Sequence, residues 1–192
     1  MSHFNRNCDH RVRPRLVLTP AGRPITHAAS PLEVATCLLD LVLGKDPVSH
    51  GGVVPHHLAA HKEIWSRGIL HRDVGINNSM MYEETLPDGT VRIRGLLIDF
   101  DHAIRVDGSN RTVGPGDRAV SPVSQYHRRD TRNADRQGTL PFTAIELLRA
   151  VDNEPVQHTV AHDLESFVYL LSWIVTLYAG PQSQLRDDSP KK

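Results

Sequence analysis

The chain has 192 residues, with 22 basic and 22 acidic side chains, 12 histidines and two cysteines, Cys8 and Cys37. Balanced charge gives no net field to draw nucleic acid or an anionic membrane as the main partner, and two cysteines are too few for a disulfide framework or a zinc cage. The length suits one buried domain, and the polar, basic start M-S-H-F-N-R-N-C-D-H-R lacks the apolar centre of a secretory signal, so the expected setting is intracellular, cytoplasmic or nuclear.

Residues 1–29 read as a partly disordered N-terminal segment, with a short strand at 15–19 and a turn at 20–24. Ser30-Pro31-Leu32-Glu33 predicts a helix start, with Ser30 as N-cap, Pro31 in the first turn and Glu33 closing a capping box. That helix runs through Val34, Ala35, Leu38, Leu39, Leu41 and Val42 and stops at Gly44. A second helix follows Pro55, burying Leu58, Ile64 and Trp65 and ending at Gly68. His57 and His61 share a face of it. Their spacing suits zinc, but no H-E-x-x-H pattern or cysteine cluster completes a site, so both read as partly solvated helix residues.

Next come two strand-like runs, 79–82 and 91–98, separated by Leu86-Pro87-Asp88-Gly89. Paired as a hairpin, they carry Asn78 and Asp99 at one end, with Asp73 on the loop entering that end. Hard oxygen donors converging from loops suit magnesium held against a substrate phosphate. Residues 107–137 are rich in Gly, Ser, Arg and Asp without a usable period, as in a functional loop or a solvated insertion. Order returns at 138–148. A last helix opens at Val160, where Asp163 and Glu165 suit the helix N-terminus. Its apolar run, 167–179, is short for a bilayer span and reads as a central core helix that is apolar all round. Gly180-Pro181 ends it, and 181–192 reads as a disordered tail.

Three elements carry a family resemblance. His71-Arg72-Asp73 followed by Asn78 resembles the protein-kinase catalytic loop, with matching spacing from Asp to Asn. Leu97-Ile98-Asp99-Phe100-Asp101 resembles the magnesium-binding D-F-G element, with Asp101 in place of Gly. Gly138-Thr139-Leu140-Pro141-Phe142-Thr143-Ala144-Ile145-Glu146 is similar to the substrate-binding loop and A-P-E element, with Ile145 in place of Pro. Together they most resemble the fungal-type protein kinase family over residues 30–180. The resemblance implies an α+β, mostly helical kinase-like C-terminal lobe, in which a small hairpin carries the catalytic and metal-binding loops and the N-terminal lobe is absent.

The activity so implied is transfer of the ATP γ-phosphate to Ser or Thr hydroxyls of a protein substrate, with ATP and Mg2+ as cofactors. Asp73 takes the hydroxyl proton, and Asn78 and Asp99 hold the metal. Arg72 links the loop to an activation segment at 107–137, where Thr112, Ser121, Ser124 or Thr131 is a candidate phosphate acceptor. Thr139 orients the catalytic loop. His71, Phe100, Glu146 and Asp163 are structural supports, Asp163 by accepting hydrogen bonds from the His71-Arg72 backbone. Gly75 stands where Ser/Thr kinases usually carry a lysine.

No G-x-G-x-x-G loop is present, and the lysines are Lys45, Lys62, Lys191 and Lys192, none of them after a V-A-I strand. The expectation is therefore a truncated catalytic lobe, with a missing N-terminal lobe or a partner covering an under-covered core helix, and with Glu146 lacking its usual arginine. Two other readings remain: a catalytically inactive binding module of the same fold, and a small-molecule phosphotransferase of the aminoglycoside-kinase kind. Arg72 and the 138–148 element argue against the second.

Overall fold

A computed structural model describes residues 21–44, 60–106, 139–149 and 156–186. The expected strand at 15–19, the start of the second helix with His57 and Leu58, and the 107–137 stretch lie outside these residues.

Helix α1 (Pro31–Leu43) begins as its sequence dictates, the Ser30 hydroxyl accepting from Glu33 N at 3.2 Å. The Glu33 carboxylate accepts from Ala29 N at 2.8 Å, one residue earlier than a strict capping box requires. Gly44, at φ +86°, stops the helix where a side chain would be strained. Cys37 and Leu41 are buried, and Val34, Leu38 and Val42 pack against the same core. Ala35 and Leu39 are exposed, contrary to the expected stripe.

The inward face of α1 is set by the hairpin beneath it. Strands β3 (Ser79–Thr85) and β4 (Val91–Leu97) pair antiparallel from Ser79↔Leu97 to Thr85↔Val91, so the first strand runs three residues beyond its expected end. Its turn is closed by Gly89 N donating to Leu86 O at 2.9 Å and Thr90 N donating to Asp88 Oδ1 at 2.9 Å. Strand β1 (Arg23–Pro24) adds to β3, giving the order β1-β3-β4. Helix α1 approaches β4 so closely at Gly95 that a Cβ there would lie 2.3 Å from Cys37 O. Asp40 accepts from Gly95 N at 3.2 Å, and Arg94 reaches Asp40 at 3.6 Å and Glu84 at 2.8 Å. Burial pushes the Cys37 thiol up to about 12, so it is a packing group rather than a nucleophile.

Helix α2 (His61–Ser66) buries Ile64, leaves Trp65 half-buried and turns at Gly68 into β2 (Ile69–Leu70), which pairs with β5 (Ile104–Arg105). A 3-10 turn (Leu140–Phe142) leads to α3 (Ile145–Arg149). Helix α4 (Val160–Leu177) puts Phe167, Leu170 and Ile174 into the shared core. Leu164, Val168, Leu171 and Val175 are exposed on its other side. It is therefore a helix covered on one face, in line with the expected under-covered core helix and unlike an enclosed one. By length and composition alone α4 could cross a membrane, but its inner face carries His162, Asp163 and Ser166, all buried.

The described parts of both terminal segments touch the rest of the fold. Ile25 is fully buried, and Ser183 ties back to Thr26 through N to O and Oγ to Oγ1 bonds, each 2.8 Å. Arg186 N donates to Leu177 O at 2.9 Å. The architecture is a mixed α+β fold with small antiparallel sheets, and the loops between β2 and β3 and after β4 meet at one end of the hairpin.

Gly95→Ala places a methyl against helix backbone that cannot step aside, so it should lower unfolding stability by about 1–3 kcal/mol. An unchanged denaturation midpoint would contradict so close an approach of α1 to β4.

Candidate active site

The site is assembled from a buried carboxylate outward. Asp163, in the first turn of α4, is 1 % exposed. Its Oδ2 accepts from His71 N at 2.9 Å and pairs with His61 Nε2 at 2.9 Å. Its Oδ1 accepts from Arg72 N at 3.0 Å and pairs with His158 Nε2 at 2.8 Å. Burial pushes this carboxyl up, but the hydrogen bonds from His158 and His61 outweigh it and hold Asp163 well below the usual carboxylate range. The expected contact with the His71-Arg72 backbone is present. His61, read as partly solvated, is instead 2 % exposed and committed to Asp163.

Two successive amides can aim at one carboxylate because Arg72 takes φ +70°. A left-handed residue beside an ordinary one forms a concave nest for an anion. A non-glycine residue there is strained, and such outliers persist where surrounding bonds over-determine them. The second outlier of this kind in the site is Asp99, at φ +64°.

Asp73 follows the nest directly. Its Oδ1 accepts from Thr139 N at 3.0 Å and Thr139 Oγ1 at 3.3 Å, and its Oδ2 accepts from Asn78 Nδ2 at 2.9 Å. A carboxylate has about four acceptor positions, so one stays open. Asn78 Nδ2 also donates to Asp73 O at 2.8 Å, which leaves the side-chain oxygen as the Asn78 atom able to ligate a cation. Ile98 N donates to Asn78 O at 3.0 Å, extending the hairpin ladder to the residue before Asp99. The exposed Asp99 accepts from Asp101 N at 3.3 Å.

His71 links the two loops. It is fully buried, its Nε2 donates to Ile98 O at 3.0 Å, and its Nδ1 accepts from Asp73 N at 3.3 Å. Burial holds its pKa below the ordinary value, as a neutral ring with both nitrogens in use requires. Phe100 packs edge-on to it at 4.8 Å. Arg72 is buried and, with Asp73, Thr139, Thr143, His158 and Ser166, lines a cavity of about 10 Å³, the size of one water.

Two further positions add to the expectation. Among the described residues no arginine pairs with Glu146, and a histidine stands there: His162 Nε2 lies 2.9 Å from its carboxylate, and His162 Nδ1 accepts from Thr159 N at 3.1 Å. Beside it, Glu165 accepts from Ile145 N at 2.9 Å, so two contacts hold α3 to the start of α4. At Gly75 a Cβ would lie 2.8 Å from the Phe142 ring, which is itself buried and packed on Trp173 at 5.5 Å. The missing lysine is therefore a steric feature of the site as well as a change of charge.

The donor set fits magnesium. The carboxylate of Asp99 and the side-chain oxygen of Asn78 are hard oxygen ligands, and magnesium is ordinarily held by one or two such groups together with substrate phosphates. Among the described residues no group of three His, Cys, Asp or Glu side chains forms a self-sufficient metal cage. Sequence reasoning brought Asp73, Asn78, Thr139, Asp163 and the Asp99 loop to one region. It missed His61, His158 and His162, which carry no local motif.

Residues 2–175 match the fungal protein kinase family. The chain belongs to that family. No curated protein matches it. As a fungal protein kinase it is a kinase-type transferase by family, and the loop geometry above belongs to the matched region.

Lowered pKa values at His71 and Asp163 have the same sign for stability. A group whose folded pKa lies below its unfolded value adds stability that is complete above the unfolded value and is lost as pH falls through the folded one. The kinase should therefore lose stability as pH falls below about 6.5, where the unfolded chain takes up a proton at His71 that the fold resists, and further below about pH 4, where the same holds for Asp163. Thermal melts that stay flat from pH 7 to pH 3 would refute this. Asp163→Asn should cost about 3–5 kcal/mol at neutral pH, because it leaves buried donors facing an amide; urea unfolding measures that loss.

Proposed function

We propose that this chain transfers the γ-phosphate of ATP to Ser or Thr hydroxyls of a protein substrate. The supporting observation is the state of the Asp73 carboxylate, held by Thr139 and Asn78 with one acceptor position open. Phosphoryl transfer asks little covalent chemistry of a protein and much positioning. Asp73 orients the acceptor hydroxyl and takes its proton at the open position. Asn78 and Asp99 hold magnesium, which supplies positive charge across the ATP phosphate oxygens when bound. Thr139 fixes Asp73 and forms part of the edge along which the acceptor lies. In this reading Arg72 pairs with a phosphate on the activation segment, with Thr112, Ser121, Ser124 and Thr131 as candidate acceptors.

A second reading, a nucleotide-binding module without transfer, draws on Gly75. The Phe142 ring fills the space beyond that residue, so no cation at this position offsets charge on the transferred group. The readings separate in one assay of magnesium-dependent transfer from ATP, with protein and small-molecule acceptors side by side. Transfer to protein is expected, and Asp73→Asn should lower it by about 10²–10⁴-fold, since the side chain keeps its size but cannot take the proton. Asp99→Ala should abolish magnesium-dependent ATP binding in calorimetry. Binding unchanged by that substitution would remove Asp99 from the metal site, and ATP binding without transfer would leave the binding module.

A further inference from the structure

Asp163 receives more than the two backbone amides that a loop anchor needs. A carboxylate swings freely about its last torsion, a broad sp³–sp² rotor, and two amide donors on one side leave it room to tilt. Here each oxygen is held by one amide and one imidazole, His71 N with His61 on Oδ2, and Arg72 N with His158 on Oδ1. All of its acceptor positions, about four, are thereby filled, and the plane of the group is set. Ionised carboxylate oxygens only accept, so both imidazoles must present Nε2–H. For His158 this orientation has a cost: its Nδ1 is buried with no hydrogen-bond partner among the described residues. A buried nitrogen left unsatisfied calls for a reason, and the bond from the other nitrogen to Asp163 supplies one. His61 comes from the helix before the catalytic loop and packs edge-on to Phe167 at 5.6 Å, while His158 sits just before α4. The carboxylate is thus gripped from two elements that are distant in sequence.

We propose that His61 and His158 are positioning residues of the catalytic loop. By fixing the plane of Asp163 they hold the strained Arg72 turn, and through it the direction of Asp73. As a statement about catalysis this rests on the proposed phosphotransfer; as a statement about the loop it stands on the geometry alone. The test therefore has two arms on the full chain.

In the first arm, amide hydrogen exchange is measured for His61→Leu, His158→Leu, His61→Gln and His158→Gln. Glutamine can keep an N–H at the reach of Nε2, and leucine cannot. Each Leu variant should speed exchange at the 71 and 72 amides by about tenfold or more, the scale of lost supporting hydrogen bonds around active groups. The α1 amides should stay unchanged, and the Gln variants should return toward wild type. In the second arm, the Leu variants should lower kcat for transfer from ATP with little change in KM for ATP, and Gln should rescue it. Exchange at 71 and 72 that is no faster in the Leu variants overturns the proposal. So do Gln variants that behave like Leu ones, or protection lost equally across the chain, because a merely structural role predicts those results. A wild-type chain that transfers no phosphate sinks the proposed function, and the exchange arm still decides the positioning role.

Discussion

The active end of this molecule depends on one buried carboxylate. Asp163 sits where water cannot reach it, and the fold repays its desolvation with four hydrogen bonds, two from backbone amides and two from imidazoles. That grip stabilises a left-handed Arg72, which would otherwise relax at a gain of about 1–3 kcal/mol. Asp73 is the next residue along the chain, so the direction of its carboxylate follows from the turn before it. His71 carries the constraint across to Ile98 and the ring of Phe100, so the loop of Asp73 and the loop of Asp99 are braced by the same turn.

Helix α4 supplies this constraint because of how the work is divided along its length. His162, Asp163 and Ser166 are buried polar groups at its start, and Phe167, Leu170 and Ile174 are buried apolar groups further on. The apolar part holds the helix in the core, and the polar part is then delivered to a fixed place. His162 and Glu165 extend the arrangement to α3 through Glu146 and Ile145 N. The Glu146 contact is largely solvated on the carboxylate side, with 65 % of that side chain exposed, so it steers the loop more than it stabilises it.

Gly75 and Gly95 show how backbone proximity limits what the chain can do. At Gly95 the hairpin and α1 meet at contact distance, and this sets the height of the hairpin whose end carries Asn78 and Asp99. At Gly75 a buried aromatic ring occupies the side-chain space, so in the proposed transfer no cationic side chain from this position meets the phosphate. Shape and charge cannot be varied independently at that position.

Much of this was readable in advance. Hairpin pairing follows from the apolar and β-branched content of 79–82 and 91–98 and the Pro-Asp-Gly signal between them, and α1 follows from Ser30-Pro31 and Gly44, because caps and turns are local physics. Spacing along the chain was also enough to bring Asp73, Asn78 and Asp99 to one end of that hairpin. Other features were not legible. His61 and Asp163 are 102 residues apart, and nothing near either one signals that they touch. A histidine letter reads the same on a wet helix face as against a buried carboxylate. Which face of α4 turns inward, the Ser183 contact with Thr26 and the His162 partner of Glu146 depend likewise on what other elements cover. The sequence by itself determined the local elements and the order of the acid, amide and acid groups, because those depend on neighbours within a few residues. Only the tertiary structure decided which polar groups are buried and which donors meet them, since burial and long-range hydrogen bonding belong to the packed chain as a whole.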